Sequence, residues 1–191
     1  MGIQVESSFL VPAPIEEAWK LLTDVPRIVP CMPGAEITEV IDERTFKGVA
    51  KVKVGPIQLQ FQGQAQLHDL DPVAHRSNMS ARASDAKGRG NMQSEMTFSM
   101  AAEGDQTRVD VLTDLTLTGS VAQYGRGAGL IKEIANQFTR QFAANLAAQL
   151  SGTATPDAAK PVSGIGMLSS AVGAMIKNKL GGGEGSPPAD K

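Results

Sequence analysis

Few side chains in this 191-residue chain are suited to catalysis: two histidines, His68 and His75, one cysteine, Cys31, and the carboxylates Glu95, Asp110 and Asp114 set within apolar alternations. A general acid or base must face its target and be tuned by burial. Glu95 is out of phase with Met92, Met96, Phe98 and Met100, and both aspartates are out of phase with Val109, Val111, Thr113, Leu115 and Leu117. All three are expected to face water. His68 shares a strand face with Gln58, Gln60, Gln62, Gln64 and Gln66, and His75 follows the Asp71-Pro72 turn, so both are expected as solvated surface histidines. Cys31 has no histidine near it in sequence and reads as a small buried hydrophobe rather than a nucleophile. A lone cysteine forms no intrachain disulfide, and with two distant histidines it offers no zinc spacing. No catalytic residue and no metal ligand is assigned.

Gly125-Arg126-Gly127-Ala128-Gly129 invites a dinucleotide reading, but its spacing is G-x-G-x-G, no βαβ unit precedes it, and GxGxxG is absent. Each glycine costs a helix about 1 kcal/mol against alanine. Either the backbone flexes or approaches a ligand headgroup there, or the helix packs tightly on what lies beneath. With 18 Lys+Arg against 20 Asp+Glu, a net charge of −2 leaves no basic field for nucleic-acid phosphates. Apolar chemistry remains. Met79, Met92, Met96 and Met100 fall on one inferred face with Phe61, Phe98, Phe138 and Phe142. Such a stripe is ordinarily core, yet methionine also makes an adaptable lining for a flexible apolar guest.

The elements that position these residues follow from periodicity. Ile3 to Val11 reads as a strand stopped by Pro12-Ala13-Pro14, after which Ile15, Ala18, Trp19 and Leu22 share one helical face. Pro14 suits a first turn, and Glu16 and Glu17 suit the positive end of the helix dipole. Asp24-Val25-Pro26 closes that helix, and the prolines of Pro30-Cys31-Met32-Pro33-Gly34 exclude regular helix. From Ala35 to Gly119 the period becomes two. Ile57, Leu59, Phe61, Gly63, Ala65 and Leu67 alternate with glutamines and His68, so one face is buried and one wet. Short polar turns and no crossover helices give an antiparallel meander. Asn78-Met79-Ser80 matches a glycosylation triplet, but in a strand and without export it reads as accidental.

Ser120-Val121-Ala122-Gln123 carries a capping-box pattern, and Ile131, Ile134, Phe138, Phe142, Leu146 and Leu150 then repeat at helical spacing. Lys132, Glu133, Gln137, Thr139, Arg140 and Gln141 are expected on the far, wet side. Every aromatic residue precedes residue 151, whereas residues 151–191 hold eight of the 20 glycines. The expected division is a domain at 1–150, a flexible linker at 151–160, an amphipathic segment at 161–180 and a disordered tail at 181–191. Ile165, Leu168, Val172, Met175 and Ile176 share one side of that segment as a helix, with Lys177 and Lys179 beyond. It is too glycine-rich to span a bilayer. Insertion at a membrane surface, docking on the domain or a partner, and disorder are the three readings. Met1 to Glu6 has neither a basic n-region nor an apolar h-region, so export by a secretory signal is not expected.

Strand, two short helices, a meander of six to seven strands and a long C-terminal helix give an α+β class, with a curved antiparallel sheet wrapped around that helix. This is the order of helix-grip domains of the START-like, polyketide-cyclase-like kind. Pro12-Ala13-Pro14-Ile15-Glu16-Glu17-Ala18-Trp19, Cys31-Met32-Pro33-Gly34-Ala35-Glu36, Lys53-Val54-Gly55-Pro56-Ile57 and the glycine-rich stretch from Gly119 to Gly129 together resemble the carbon monoxide dehydrogenase G-subunit family over residues 1–150. The resemblance implies a non-catalytic accessory protein of a molybdenum-containing carbon monoxide dehydrogenase or related hydroxylase. Such an enzyme passes electrons to membrane quinones. The expectation is therefore a quinone carrier, for menaquinone or ubiquinone, that tethers the enzyme at the cytoplasmic face of the membrane. Phe61, Met79, Met92, Met96, Phe98, Val111, Leu115, Tyr124, Ile131, Ile134, Phe138 and Phe142 are expected to line its cavity, and Ile165, Leu168, Val172, Met175 and Ile176 to enter lipid. A scaffold without ligand, and an enzyme acting on a polyketide-like or steroid-like substrate, are the alternatives. An unforeseen inward Asp, Glu or Tyr would favour the enzyme, and Tyr124, whose hydroxyl could orient a quinone carbonyl or a reacting group, is the residue to inspect first in that case.

Overall fold

A computed structural model describes residues 2–54, 56–126, 128–153 and 162–163. The chain forms β1 (Gly2–Val11), α1 (Ile15–Leu22), α2 (Val25–Ile28), a 3₁₀ turn (Val29–Cys31) and β2 (Ala35–Val40). There follow β3 (Thr45–Val54), β4 (Ile57–Asp71), β5 (Arg76–Asp85), β6 (Gly90–Glu103) and β7 (Gln106–Gly119). A second 3₁₀ turn (Ser120–Arg126), α3 (Ala128–Leu150) and β8 (Val162–Ser163) complete the order. Seven strands make one antiparallel sheet in the order β1-β7-β6-β5-β4-β3-β2.

Local chemistry explains the early elements. Pro14 precedes α1, Glu16 and Glu17 occupy its first turn, and Ala18, Trp19 and Leu21 are buried. Asp24 accepts a hydrogen bond from the Arg27 N–H (3.3 Å) and so caps α2, whose first turn carries Pro26. In the sheet, Gly48 pairs with Gly63 and Gly63 with Ala83. A Cβ on Gly63 would lie inside the backbone of Arg82 and Ala83, and one on Gly48 would come 2.6 Å from the Glu36 carbonyl oxygen. This row of small residues permits the close strand approach that curves the sheet.

The long helix differs from expectation at both ends. Ser120 donates its hydroxyl to the Arg89 carbonyl (2.8 Å), and the residues after it form a 3₁₀ turn, so the capping-box pattern does not start α3. At the other end Gly152 takes φ 71°, its N–H bonding to Gln149 and that of Thr153 to Ala148, which is the Schellman arrangement. Leu150, read as part of the apolar stripe, is exposed because the helix has run past the sheet's cover. Phe142 and Leu146 pack with Val11, Trp19, Ile28, Cys31 and Val109 in one buried cluster.

β3 continues beyond β2, whose last partner on it is Ala50, leaving the main-chain groups of residues 52–54 without a partner from that strand. Val162 and Ser163 pair there in parallel with Val52 and Lys53. Within the segment 161–180, expected as an amphipathic helix, Val162 and Ser163 are thus extended, because a free strand edge offers hydrogen bonds that a glycine-diluted isolated helix does not. The remainder of that segment and the 181–191 tail lie outside the described residues, as do linker residues 154–160.

Candidate functional site: an apolar cavity beneath α3

Between the concave face of the sheet and the N-terminal two-thirds of α3 lies a cavity of about 380 Å³. The sheet's curvature, set by its small-residue row, holds its middle away from the helix, and the odd-numbered phase of β4, β5 and β7 with the even phase of β6 faces inward. All twelve residues expected to line a cavity, from Phe61 to Phe142, are on its wall, and Met100 joins them. Phe138 stacks on Phe142 with ring centroids 6.5 Å apart, and Phe9 meets Phe142 edge-on at 5.5 Å. Val5, Ser7 and Phe9 of β1, and Leu22, Val25, Ile28 and Met32 near the short helices, also line it without having been singled out from sequence. Alternation in β1 carried the signal for the first three. Leu22 belongs to the apolar helical face read from spacing, but nothing local marks Val25, Ile28 and Met32, which long-range packing brings under the sheet's open end.

Thr139, expected on the wet side of α3, lines the cavity instead. Its hydroxyl bonds back to the Ala135 carbonyl (3.0 Å), which lets a polar side chain sit on an apolar wall. The other hydroxyls of the lining belong to Ser7, Thr23, Ser77, Thr113 and Tyr124, and no carboxylate, histidine or cysteine is among the described lining residues.

Glu95 and Asp114 are exposed, and Asp110 is open to solvent with Arg108 beside it at 3.2 Å. His68 is partly exposed, 2.9 Å from the Asp69 carboxylate. His75 departs from expectation: its side chain is only 13% exposed, packs edge-on against Trp19 and lies 3.2 Å from Glu16. Proximity in space to α1, invisible in sequence, covers it. Cys31 is fully buried, donates to the Gln149 side-chain carbonyl at 2.7 Å, and has its thiol acidity weakened by burial, so the thiolate is disfavoured.

One carboxylate passed over from sequence is Asp85, which continues the Met79, Ala81 and Ala83 phase to the end of β5, an inward position that strand parity itself indicates, with its side chain wholly buried. Arg89 grips it through Nε (2.8 Å) and Nη2 (2.7 Å), and the backbone N–H groups of Lys87, Arg89 and Gln60 complete its coordination. These bonds, the Arg89 side chain foremost, hold its carboxyl well below the usual aspartate range. It stays ionised and lies off the cavity wall, so it fastens the β5–β6 turn and is not positioned as an acid or base toward that space. Arg89 extends the fastening to the Gln58 carbonyl by Nη2 (3.1 Å), and its own carbonyl accepts from Ser120.

Around the glycine-rich stretch, Gly129 has open space where a Cβ would stand, so tight helix packing does not account for it. Gly127 lies outside the described residues, as do Ile165, Leu168, Val172, Met175 and Ile176. No described helix is long and apolar enough to cross a membrane, and no group of three metal-binding side chains occurs among the described residues.

A curved antiparallel sheet gripping one long helix over a cavity defines the helix-grip class, and solved structures share it. A conserved protein from Geobacillus kaustophilus superposes with TM-score 0.67 at 16% identity, covering 80% of this chain and 96% of that one. The Zhui aromatase/cyclase from Streptomyces sp. R1128 does so at 0.52 and 14% identity, over 81% and 100%. Truncated norcoclaurine synthase from Thalictrum flavum gives 0.53 at 11% identity, over 79% and 94%. No curated protein matches the chain. The family of the carbon monoxide dehydrogenase G-subunit (CoxG) matches residues 8–151, and the chain belongs to that family.

Proposed function

We propose that the protein is a non-catalytic accessory component of a molybdenum carbon monoxide dehydrogenase or related hydroxylase, carrying a respiratory quinone in its cavity and holding the enzyme near the membrane. The observation that carries this reading is the cavity: about 380 Å³, walled by methionine and aromatic side chains, with no carboxylate or histidine among the described lining residues and Tyr124 bringing a phenolic hydroxyl to the wall. Small-molecule sites span roughly 300–1,000 Å³, so this one takes a ring headgroup and the first part of an isoprenoid chain. Either menaquinone or ubiquinone satisfies such a lining, because apolar walls specify size more than identity.

The membrane part of the proposal rests on sequence. Ile165, Leu168, Val172, Met175 and Ile176 would dip into the headgroup boundary of the inner leaflet, with the protein peripheral on the cytoplasmic side. Four lysines against three acids in residues 151–191 give the tail a charge of +1, so apolar insertion rather than attraction to anionic lipid would provide the binding.

Native mass spectrometry of protein purified from membranes, with organic extraction of whatever is bound, tests the reading for residues 1–191 and 1–151. The expected result is a quinone with both, and sedimentation with vesicles only for the full chain. An empty cavity in a protein that still holds the dehydrogenase replaces the carrier with a scaffold. Turnover of a polyketide-like substrate would replace it with an enzyme, as the Streptomyces aromatase/cyclase is by name.

A further inference from the structure

We infer that the polar end of the cavity's ligand lies beneath the seam between β1 and α3, where the hydroxyls of Ser7 and Thr113 donate to a neutral acceptor such as a ring carbonyl. This inference rests on the ligand-binding reading above and adds the orientation of the guest. Ser7 pairs with Val111 and Val5 with Thr113, so Ser7 and Thr113 are diagonal neighbours on the concave face. Both interrupt otherwise apolar inward phases, that of Ile3, Val5, Phe9 and Val11 and that of Val109, Val111, Leu115 and Leu117. Neither hydroxyl is spent on another described residue, and neither is sealed away from open space. Thr139 faces the same region from α3, its proton given to Ala135 and its oxygen still able to accept.

Position favours this end over the others. A second, polar depression of about 700 Å³, with Glu6, Arg76, Asp110 and Arg140 on its rim, shares Ser7, Val111 and Thr139 with the cavity wall. A headgroup set there keeps its polar atoms nearest water while its chain lies along the methionine and phenylalanine walls, which lowers the cost of burying those atoms. Of the other lining hydroxyls, that of Thr23 is already given to the Trp19 carbonyl (2.7 Å), while those of Ser77 and Tyr124 make no hydrogen bond to another described residue and are the competing sites. No cation lines the cavity among the described residues, so the class of ligand is a neutral carbonyl compound rather than a carboxylate.

Equilibrium dialysis of the full chain against 2,3-dimethyl-1,4-naphthoquinone and against 2,3-dimethylnaphthalene separates the carbonyls from the apolar ring. The doubly substituted Ser7→Ala, Thr113→Val protein removes both hydroxyls with little change of shape. It is expected to lose about threefold to tenfold in quinone affinity per hydroxyl while hydrocarbon affinity stays within about twofold. Equal loss for the two probes, or none for the quinone, overturns the inference. So does a quinone-specific loss that follows Tyr124→Phe or Ser77→Ala and spares the double variant, which would put the polar end at the glycine-rich stretch or beneath β5. An unsubstituted protein that holds neither probe overturns the ligand-binding reading itself, whereas one that holds the hydrocarbon as tightly as the quinone overturns only the orientation.

Discussion

The two halves of α3 do opposite work. From Phe142 to Gln149 the helix is fastened: Leu146 is fully buried, Asn145 donates to the Cys31 carbonyl (3.0 Å), and Gln149 accepts from the Cys31 thiol and donates to the Arg27 carbonyl (3.3 Å). From Ile131 to Thr139 the same helix spans empty space, and its apolar residues are only partly buried. A hollow half is tolerable because the solid half, docked on β1, α1 and the 3₁₀ turn, anchors the element. Stability is therefore distributed unevenly: burial and hydrogen bonding concentrate at one end of a helix, and the other end is released to form a wall.

Substitutions along α3 sharpen that contrast. Leu146→Ala is expected to cost about 2–5 kcal/mol in chemical denaturation, since it opens a void in close-packed surroundings. Ile134→Ala, which enlarges existing space, should cost clearly less. Equal losses would break the division into halves. Asn145→Ala leaves the buried Cys31 carbonyl without its donor and is expected to cost about 1–3 kcal/mol, with quinone affinity retained.

Away from the helix, the β5–β6 turn has a firm fastening of its own, and pH reveals it. Asp85 is held below the ordinary aspartate value of 3.8, so its contribution to stability is complete above that pH and fades as the pH falls below it. In Asp85→Asn that acid-dependent loss should flatten, with lower stability at neutral pH, when unfolding is followed from pH 7 to pH 2. Phe138→Trp should fill the cavity at a stability change under about 1.5 kcal/mol and reduce quinone uptake measured by dialysis. Undiminished uptake would count against the path past Phe138. The smallest effect is expected at Cys31: a thiol reagent should leave the native protein unmodified and react only on unfolding, because burial disfavours the thiolate.

Much of this was legible from residue order. Period-two alternation in β3 to β7 and period-3.6 spacing in α3 are local consequences of backbone geometry, so they mark the concave face and the helix stripe directly. Phe61, Met96 and Phe138 could therefore be placed on facing surfaces from their spacing alone. The cover over His75 and the neutralisation of Asp85 could not be read that way. His75 is covered by Trp19 from a distant helix, and Asp85 sits at an inward position that parity alone would make a liability, until Arg89 four residues on turns back to neutralise it.

The amino-acid sequence by itself determined the main strands and the long helix, most of their inward and outward faces, and membership of the family, because each is written in short-range spacing or motif. Only the tertiary structure decided that the two inward faces stand apart over one half of α3 and close over the other. Separation depends on the curvature that the Gly48, Gly63 and Ala83 row permits and on contacts between residues more than a hundred positions apart, such as Cys31 with Asn145 and Gln149. Apolar patterning specifies that a surface avoids water. Whether it meets another side chain or a cavity is settled by three-dimensional distance, to which a linear pattern is blind.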